Sequence, residues 1–166
     1  MDIRTGHLDH PGVVALLREH LHALGRLTPA DSMHALGIDR LKAPDITFWS
    51  AWDGEAVIGC AALRHLDDAH GELKSMRTCA RHLRRGVATR LLDTALAEAR
   101  LRGYARVSLE TGVTREFAAA HALYRRAGFR ECGPFGAYRH DPHSLFMTLE
   151  TGVVREAAGA TAVGVS

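Results

Sequence analysis

Apolar residues recur at every third or fourth position in several stretches of the chain, which is the pattern of helices that bury one face. The clearest stretch runs from residue 85 to residue 102 and places its Val, Leu and Ala side chains on one side. Further helices are predicted over residues 13–24, ending at Gly25, and over residues 117–127. A short helix is expected over residues 28–37, which begin with a Thr-Pro pair typical of helix starts.

Strands are predicted where β-branched and aromatic residues cluster between turn-forming residues. The clearest hairpin joins residues 46–52 to residues 56–63 through an Asp-Gly pair, which favours tight turns. The other predicted strands are at residues 2–4, 72–78, 107–110, 129–132 and 144–149. This order predicts an α/β (α+β) domain with a mixed, mostly antiparallel central sheet of about six to seven strands, flanked by about four helices. One parallel crossover is expected around the long helix.

The composition fits a single domain of ordinary size. The chain has 166 residues, of which 46% are hydrophobic and 24% are charged, and these proportions exclude a disordered chain. We expect residues 1–150 to form the domain and the weakly patterned residues 151–166 to form a flexible tail. No apolar stretch is long enough for a membrane span, and the first residues lack a signal-peptide pattern. With three cysteines outside metal or disulfide spacing, a cytoplasmic protein with reduced thiols is expected.

Positive charge is concentrated just before the long helix. Residues 81–90 contain four arginines and no acid, although the net charge of the whole chain is only +2. The first N–H groups of a helix have no intrahelical partner and favour an acid or a bound anion. Gly86 and Ala88 are small enough for a phosphate to approach the backbone. A solvated basic turn is the alternative, and the low net charge argues against a nucleic-acid-binding protein.

Two motifs resemble those of the GNAT superfamily of acetyltransferases. Residues 83–88 are similar to the family's Q/R-x-x-G-x-G/A motif, which stands between a strand and a helix, with Leu83 in place of Gln or Arg. Residues 120–129 resemble its A-x-x-L-Y-x-x-x-G-F motif, with Phe117 where the family often has Asn. The two motifs occur in the family's order, with a predicted strand between them.

The resemblance covers roughly residues 3–149 and implies a GNAT-like fold that uses acetyl-CoA as co-substrate. Residues 72–78 and 131–138 are similar to those of small bacterial members of the YsnE type. The resemblance implies that the pyrophosphate lies on the amides of the loop before the long helix. It also implies that the pantetheine arm pairs with the fourth strand, in a slot where the fourth and fifth strands splay apart. The implied cofactor-binding residues are Met76, Arg77, Thr78, Arg84, Arg85, Gly86, Val87, Ala88, Thr89 and Tyr124.

Acetyl transfer from a thioester to an amine needs a group that takes a proton from the amine and a group that protonates the leaving thiolate. Tyr124 matches the family tyrosine that points at the CoA sulfur, and it is assigned as the general acid. Glu72 begins the fourth predicted strand and Glu110 ends the fifth, and they are the alternatives for the base. His121 shares a helix face with Tyr124 and is a third candidate.

The acceptor implied by the resemblance is the primary amine of a small molecule or peptide, and Phe135 and Tyr138 are expected to border it. The alternative is a catalytically weak acyl-CoA-binding sensor or interaction module of the same fold. No His or Cys cluster has metal-ligand spacing, so no metal is expected. Neither nucleic acid nor membrane is expected as a partner, and a homodimer, common in the family, is left open.

Overall fold

The structure, a computed structural model, describes residues 1–29 and 37–155. These residues contain seven strands and four α-helices. In chain order they are β1 (Asp2–Thr5), α1 (Pro11–Leu27), α2 (Ile38–Leu41), β2 (Ile46–Asp53), β3 (Ala56–Asp67), β4 (His70–Thr78), α3 (Val87–Leu101), β5 (Arg106–Gly112), α4 (Ala118–Ala127), β6 (Arg130–Cys132) and β7 (Ser144–Glu150). The predicted α/β class is confirmed.

The strands form one sheet in the order β1-β2-β3-β4-β5-β7-β6. Neighbouring strands are antiparallel except for β4 and β5, which are parallel and are joined through α3, as parallel strands require. Four residue pairs join these two strands, from His70 opposite Arg106 to Leu73 opposite Leu109. Beyond the last pair the ladder stops while both strands continue, so the sheet opens at this point.

Helices cover both faces of the sheet, but not equally. On one face α3 and α4 pack over the central strands; the buried residues of α3 are Val87, Leu91, Leu92, Ala95, Leu96 and Ala99. On the other face α1 and α2 pack on β2 and β3; the buried residues there are Val13, Leu16, Leu17, Leu41, Phe48, Trp52, Cys60 and Ala62. Burying a large apolar side chain contributes roughly 1.5–3 kcal/mol, so these two clusters hold the sheet in place.

The first helix is longer than its sequence pattern predicts. The predicted end at Gly25 is wrong, because α1 continues to Leu27. Glycine in a helix costs about 1 kcal/mol and does not forbid the helix. The helix ends instead before Pro29, because a residue preceding proline avoids the helical region, and Thr28 is extended with φ −131° and ψ 130°. The helix expected at residues 28–37 falls mainly on residues 30–36, which lie outside the described residues.

The chain stays attached to the sheet just after β7. Thr151 donates its N–H to the carbonyl of Ala105 at 2.9 Å and its hydroxyl to the carbonyl of Tyr104 at 2.6 Å. The rest of the tail expected at residues 151–166 falls mostly on residues 156–166, outside the described residues. Within the described ranges, no helix has the length and apolar character needed to cross a membrane.

Candidate active site

A cavity of about 130 Å³ lies where β4 and β5 stop pairing. One wall is formed by residues 73–76 of β4 and the other by residues 109–112 of β5, while α4 contributes Ala120 and Tyr124. The end of α1 closes the cavity with His20 and Leu24. The opening of the sheet therefore forms a slot between the fourth and fifth strands, as the sequence resemblance implies.

A β-bulge shapes the β4 wall of this slot. Lys74 pairs with Ala62 and Arg77 with Cys60, so two residues of β4 stand opposite Ala61 alone. Ser75 adopts a left-handed backbone with φ 54°, and its carbonyl accepts a hydrogen bond from the Cys60 thiol at 3.2 Å. The bulge interrupts the β3–β4 ladder beside the cavity, where backbone groups of β4 can turn toward a ligand.

Tyr124 stands at the inner wall of this cavity. It is 7% exposed, and its ring packs against Phe129 with the ring centroids 5.7 Å apart. Burial raises the pKa of the Tyr124 hydroxyl above its usual range, so the hydroxyl keeps its proton at neutral pH. The predicted general acid thus lies in the slot in its protonated form.

Glu110 lines the same cavity as Tyr124. Its carboxylate accepts a hydrogen bond from the Ser144 hydroxyl at 3.2 Å, which fixes it between β5 and β7. The structure therefore brings together one of the two carboxylates proposed as base and the tyrosine proposed as acid.

Glu72 lies elsewhere. It is 1% exposed and takes part in a buried network in which the Tyr138 hydroxyl donates to its Oε2 at 2.5 Å and Lys74 Nζ lies 3.2 Å from the same oxygen. Burial and the charge of Glu72 raise the pKa of Tyr138. Glu72 lines a second cavity, of about 480 Å³, below the β6–β7 loop of residues 133–143. Lys74 lines both cavities, whereas Glu72 lines the second and is not among the residues that line the slot.

His121 and Phe117 both contact Gly112 on the β5 wall of the slot. His121 Nε2 donates to the carbonyl of Gly112 at 2.8 Å. A Cβ on Gly112 would lie 2.2 Å from the ring of Phe117, so only glycine lets this ring pack there. Phe117, which stands where the family often has Asn, therefore forms an apolar part of the cavity wall.

The loop before α3 has the features predicted for an anion site. Gly86 has φ 79° and Arg84 has φ 62°, and a Cβ on Gly86 would meet no atom within 4 Å, so space above the loop is open. The first turn of α3 has neither an acidic residue nor a side-chain cap, which leaves its N–H groups for a ligand. Arg84, Arg85 and Thr89 are exposed beside these groups. The donors present fit a diphosphate.

The remaining predicted cofactor-binding residues differ in whether their side chains line the slot. Met76 lines the slot, whereas Arg77 Nη2 turns to α1 and bonds Glu19 at 3.0 Å. Thr78 pairs with Gly59 in the ladder beyond the bulge. The Val87 side chain is buried in the core, so only its backbone can reach a ligand, and Ala88 is partly exposed at the helix start.

His20 is a cavity residue that the sequence did not reveal. Burial, and then the charge of Arg77, lower its pKa to about 4, so its imidazole is neutral at physiological pH. Its position in the first helix is unremarkable in the sequence, because the slot is formed by strands far along the chain. Only the packing of α1 across the end of β4 places His20 there.

Comparison with known proteins identifies the class of protein to which this fold and this slot belong. The profile of the acetyltransferase (GNAT) family matches residues 15–129, and the chain belongs to that family.

Two curated relatives cover most of the chain. It is 51% identical over 148 residues to the uncharacterized N-acetyltransferase YsnE of Bacillus subtilis strain 168, covering 89% of this chain and 98% of YsnE. It is 49% identical over 147 residues to the uncharacterized N-acetyltransferase YedL of Escherichia coli K12, covering 89% of this chain and 92% of YedL.

Solved structures share the fold. A Klebsiella pneumoniae protein described as an acyl-CoA N-acyltransferase superposes with a TM-score of 0.72 at 24% identity, covering 90% of this chain and 97% of that one. A GNAT acetyltransferase from Elizabethkingia anophelis, solved with acetyl-CoA bound, superposes with a TM-score of 0.65 at 19% identity, covering 90% and 97%.

Proposed function

We propose that this GNAT-family protein transfers the acetyl group of acetyl-CoA to the primary amine of a small molecule or peptide. The observation that carries the proposal is the placement of Tyr124 and Glu110 on one cavity, at the opening between β4 and β5. An acid and a base on either side of one small space is the arrangement that acyl transfer to an amine requires.

The loop before α3 binds the diphosphate of the donor. The backbone N–H groups after Gly86 supply hydrogen-bond donors, and Arg84 and Arg85 supply positive charge. The open space above Gly86 supports this role, because a bound diphosphate must approach the backbone closely. Bound there, acetyl-CoA supplies an activated acyl thioester.

Glu110 holds the acceptor amine and takes its proton. An alkyl ammonium has a pKa near ~10 and cannot attack a carbonyl until it loses a proton. The hydrogen bond from Ser144 orients the Glu110 carboxylate toward the amine. Lys74, also on this cavity, faces the same space from β4.

Tyr124 stabilises the sulfur as the C–S bond breaks. A thiol has a pKa near ~8.5, so its thiolate is a fair leaving group and gains from a single hydrogen-bond donor. Because burial keeps the Tyr124 hydroxyl protonated, it can donate to that sulfur throughout the physiological pH range.

The bonds and protons of the proposed acetyl transfer balance without a further reactant. An N–C bond forms between the amine and the acetyl carbon, and the C–S bond breaks. The ammonium loses two protons in all; one is returned to the thiolate and the other goes to solvent. The products are an N-acetyl amide and the free thiol of CoA.

The direct test incubates the purified protein with acetyl-CoA and a panel of primary amines that covers amino acids, amino acid amides, alkyl amines, polyamines and peptides. We expect thiol release together with an acetylated product identified by mass. The Gly86→Glu variant is the matched control for uncatalysed thiol release, since it lacks the donor site.

One outcome would favour the sensor instead. If acetyl-CoA binds tightly by calorimetry and no amine accelerates thiol release above the Gly86→Glu background, the protein binds acyl-CoA without catalysing transfer. That result contradicts the proposed activity and leaves the donor site intact.

A further inference from the structure

The face of β4, β5 and β7 that lies opposite α3 carries polar residues, and a loop covers it instead of a helix. Register places Glu72 of β4 beside Ser108 of β5, and Glu110 follows on the same face two residues later. Ser108 in turn bonds the Thr148 hydroxyl of β7 at 2.9 Å. The β6–β7 loop lies over this face, and the 480 Å³ cavity lies below the loop. That volume is within the roughly 300–1,000 Å³ of small-molecule sites.

The cavity has an apolar side formed by the loop. Phe135 is 9% exposed, and it packs edge-on against Tyr138, with the ring centroids 5.0 Å apart, and against Phe146 at 5.9 Å. Leu66 lines the same space. These side chains fit an apolar or aromatic body of a ligand.

Charges of both signs surround this apolar side. Glu72 and Lys74 neutralise each other at 3.2 Å. Arg64 lines the cavity; its Nε bonds Asp45 at 3.2 Å, and its Nη1 forms a longer ion pair with Glu72 at 4.0 Å. Arg139 lines the cavity, is exposed, and makes no ion pair within the described residues. Asp141 lines the same cavity, and its carboxylate accepts a hydrogen bond from the N–H of His143 at 2.8 Å.

A carboxylate lies at the opposite end. Glu110 stands in the neighbouring slot with Tyr124, and it is near enough to Tyr138 for its charge to act on that hydroxyl. The two cavities meet at Lys74, which lines both. A ligand under the loop would thus face Glu110 at the slot and, in the loop cavity, the two arginines Arg64 and Arg139 together with Asp141.

We propose that the acceptor is a small zwitterion, an amino acid with an apolar side chain, whose ammonium is held by Glu110 and whose carboxylate is held by Arg64 and Arg139. This inference rests on the acetyl transfer proposed above. A polyamine would place its further ammonium groups near Arg64 and Arg139, which repel them. The acetyl group is transferred to the amino nitrogen, so the carboxylate is unchanged and the product is an N-acetyl amino acid.

The test compares acceptors that share one side chain: phenylalanine, its amide, phenethylamine and, as a polycation, spermidine. Thiol release from acetyl-CoA gives kcat/KM for each, and mass spectrometry confirms the product. We expect kcat/KM for phenylalanine to exceed that for the amide and for phenethylamine about 10–100-fold. Other apolar amino acids, each with its amide, extend the series if phenylalanine itself is turned over slowly.

Substitutions of the two arginines test whether the cavity causes the preference for the amino acid over its amide. Arg139→Gln and Arg64→Gln should each lower kcat/KM for the amino acid about tenfold through KM and leave kcat/KM for the amide within about twofold. Arg130→Gln, at an exposed arginine that pairs with Glu150 at 3.2 Å away from both cavities, is the matched control and should change neither.

The outcomes separate this inference from the proposed function. The proposed preference for a zwitterionic acceptor would be wrong if phenethylamine, the amides or spermidine were acetylated as efficiently as the amino acids. The proposed acetylation of amines would still hold in that case. Equal losses for acid and amide in Arg139→Gln and Arg64→Gln would also overturn the proposed preference. No thiol release with any amine would overturn the proposed function, and this inference with it.

Discussion

The two faces of β4, β5 and β7 are made from the same three strands and differ in almost every respect. One face carries Leu73, Leu109 and Met147, all buried against α3 and α4. The other carries Glu72, Ser108 and Glu110, below a loop. The first face is stabilised by burial of apolar area, whereas the second must satisfy each polar group with a partner. The strands thus combine a rigid support on one side with a chemically varied surface on the other.

The donor end of the site gives the largest expected effect. Gly86→Glu places a carboxylate in the open space above the loop, where the proposed diphosphate lies. Like charges in contact cost several kcal/mol, so acetyl-CoA affinity should fall more than about 1,000-fold by calorimetry. Gly86→Ala, which keeps the space but strains a backbone with φ 79°, is the control and should lower stability more than affinity. Normal affinity in Gly86→Glu would show that the donor binds elsewhere.

Substitution of Glu110, one of the two carboxylates of the polar face, should give the next largest loss of activity, whereas substitution of Glu72 should mainly affect stability. Glu110→Gln should lower kcat about 1,000-fold, with the loss shrinking as pH rises and more of the amine is already neutral. Glu72→Gln should mainly lower the free energy of unfolding, by about 3 kcal/mol, because it removes a buried negative charge that lies 3.2 Å from the Lys74 ammonium. Glu131→Gln, at an exposed acid paired with Arg125 at 3.1 Å, is the control. The reverse ranking of kcat for Glu72 and Glu110 would identify Glu72 as the base.

The apolar face carries the proposed general acid, Tyr124, and its removal should have a smaller effect. Tyr124→Phe keeps the ring packed on Phe129 and should lower kcat about 100-fold, with the dissociation constant of acetyl-CoA within twofold. Tyr104→Phe, a buried tyrosine whose hydroxyl bonds His65 Nδ1 at 2.6 Å, is the control for losing a buried hydroxyl and should keep kcat. Full turnover in Tyr124→Phe would leave the sulfur without its proposed donor.

The smallest effect concerns the closed end of the slot. The pKa of His20 in the folded protein, about 4, lies below its ordinary value of 6.5. Above pH 6.5 the group does not affect stability; between pH 6.5 and 4 only the unfolded chain takes the proton, so the free energy of unfolding falls. We expect about 2 kcal/mol of this loss to disappear in His20→Gln, as measured by urea unfolding at pH 7 and pH 4.5. His22→Gln, at an exposed histidine on the same helix, should retain the loss.

The sequence predicted the strands, most of the helices and the anion loop, because these depend on residues close together in the chain. Periodicity identified α3, and the motif before it placed Gly86 at the helix start. The sequence could not rank Glu72 against Glu110, since alternation assigns a residue to a face but not to a cavity. Their separation depends on Lys74 and on Tyr138, which the β6–β7 loop brings across from a distant part of the chain. His20 was missed for the same reason.

The four residue pairs between β4 and β5 also have a meaning for folding. Strands β1–β4 pair consecutively through antiparallel contacts, and β5 and β7 pair with each other, so the sheet consists of two antiparallel halves. The parallel junction that joins these halves requires α3 to cross from the end of β4 back to the start of β5. The slot belongs to neither half alone. We therefore expect conditions that separate the two halves to abolish acetyl transfer while much of the secondary structure survives.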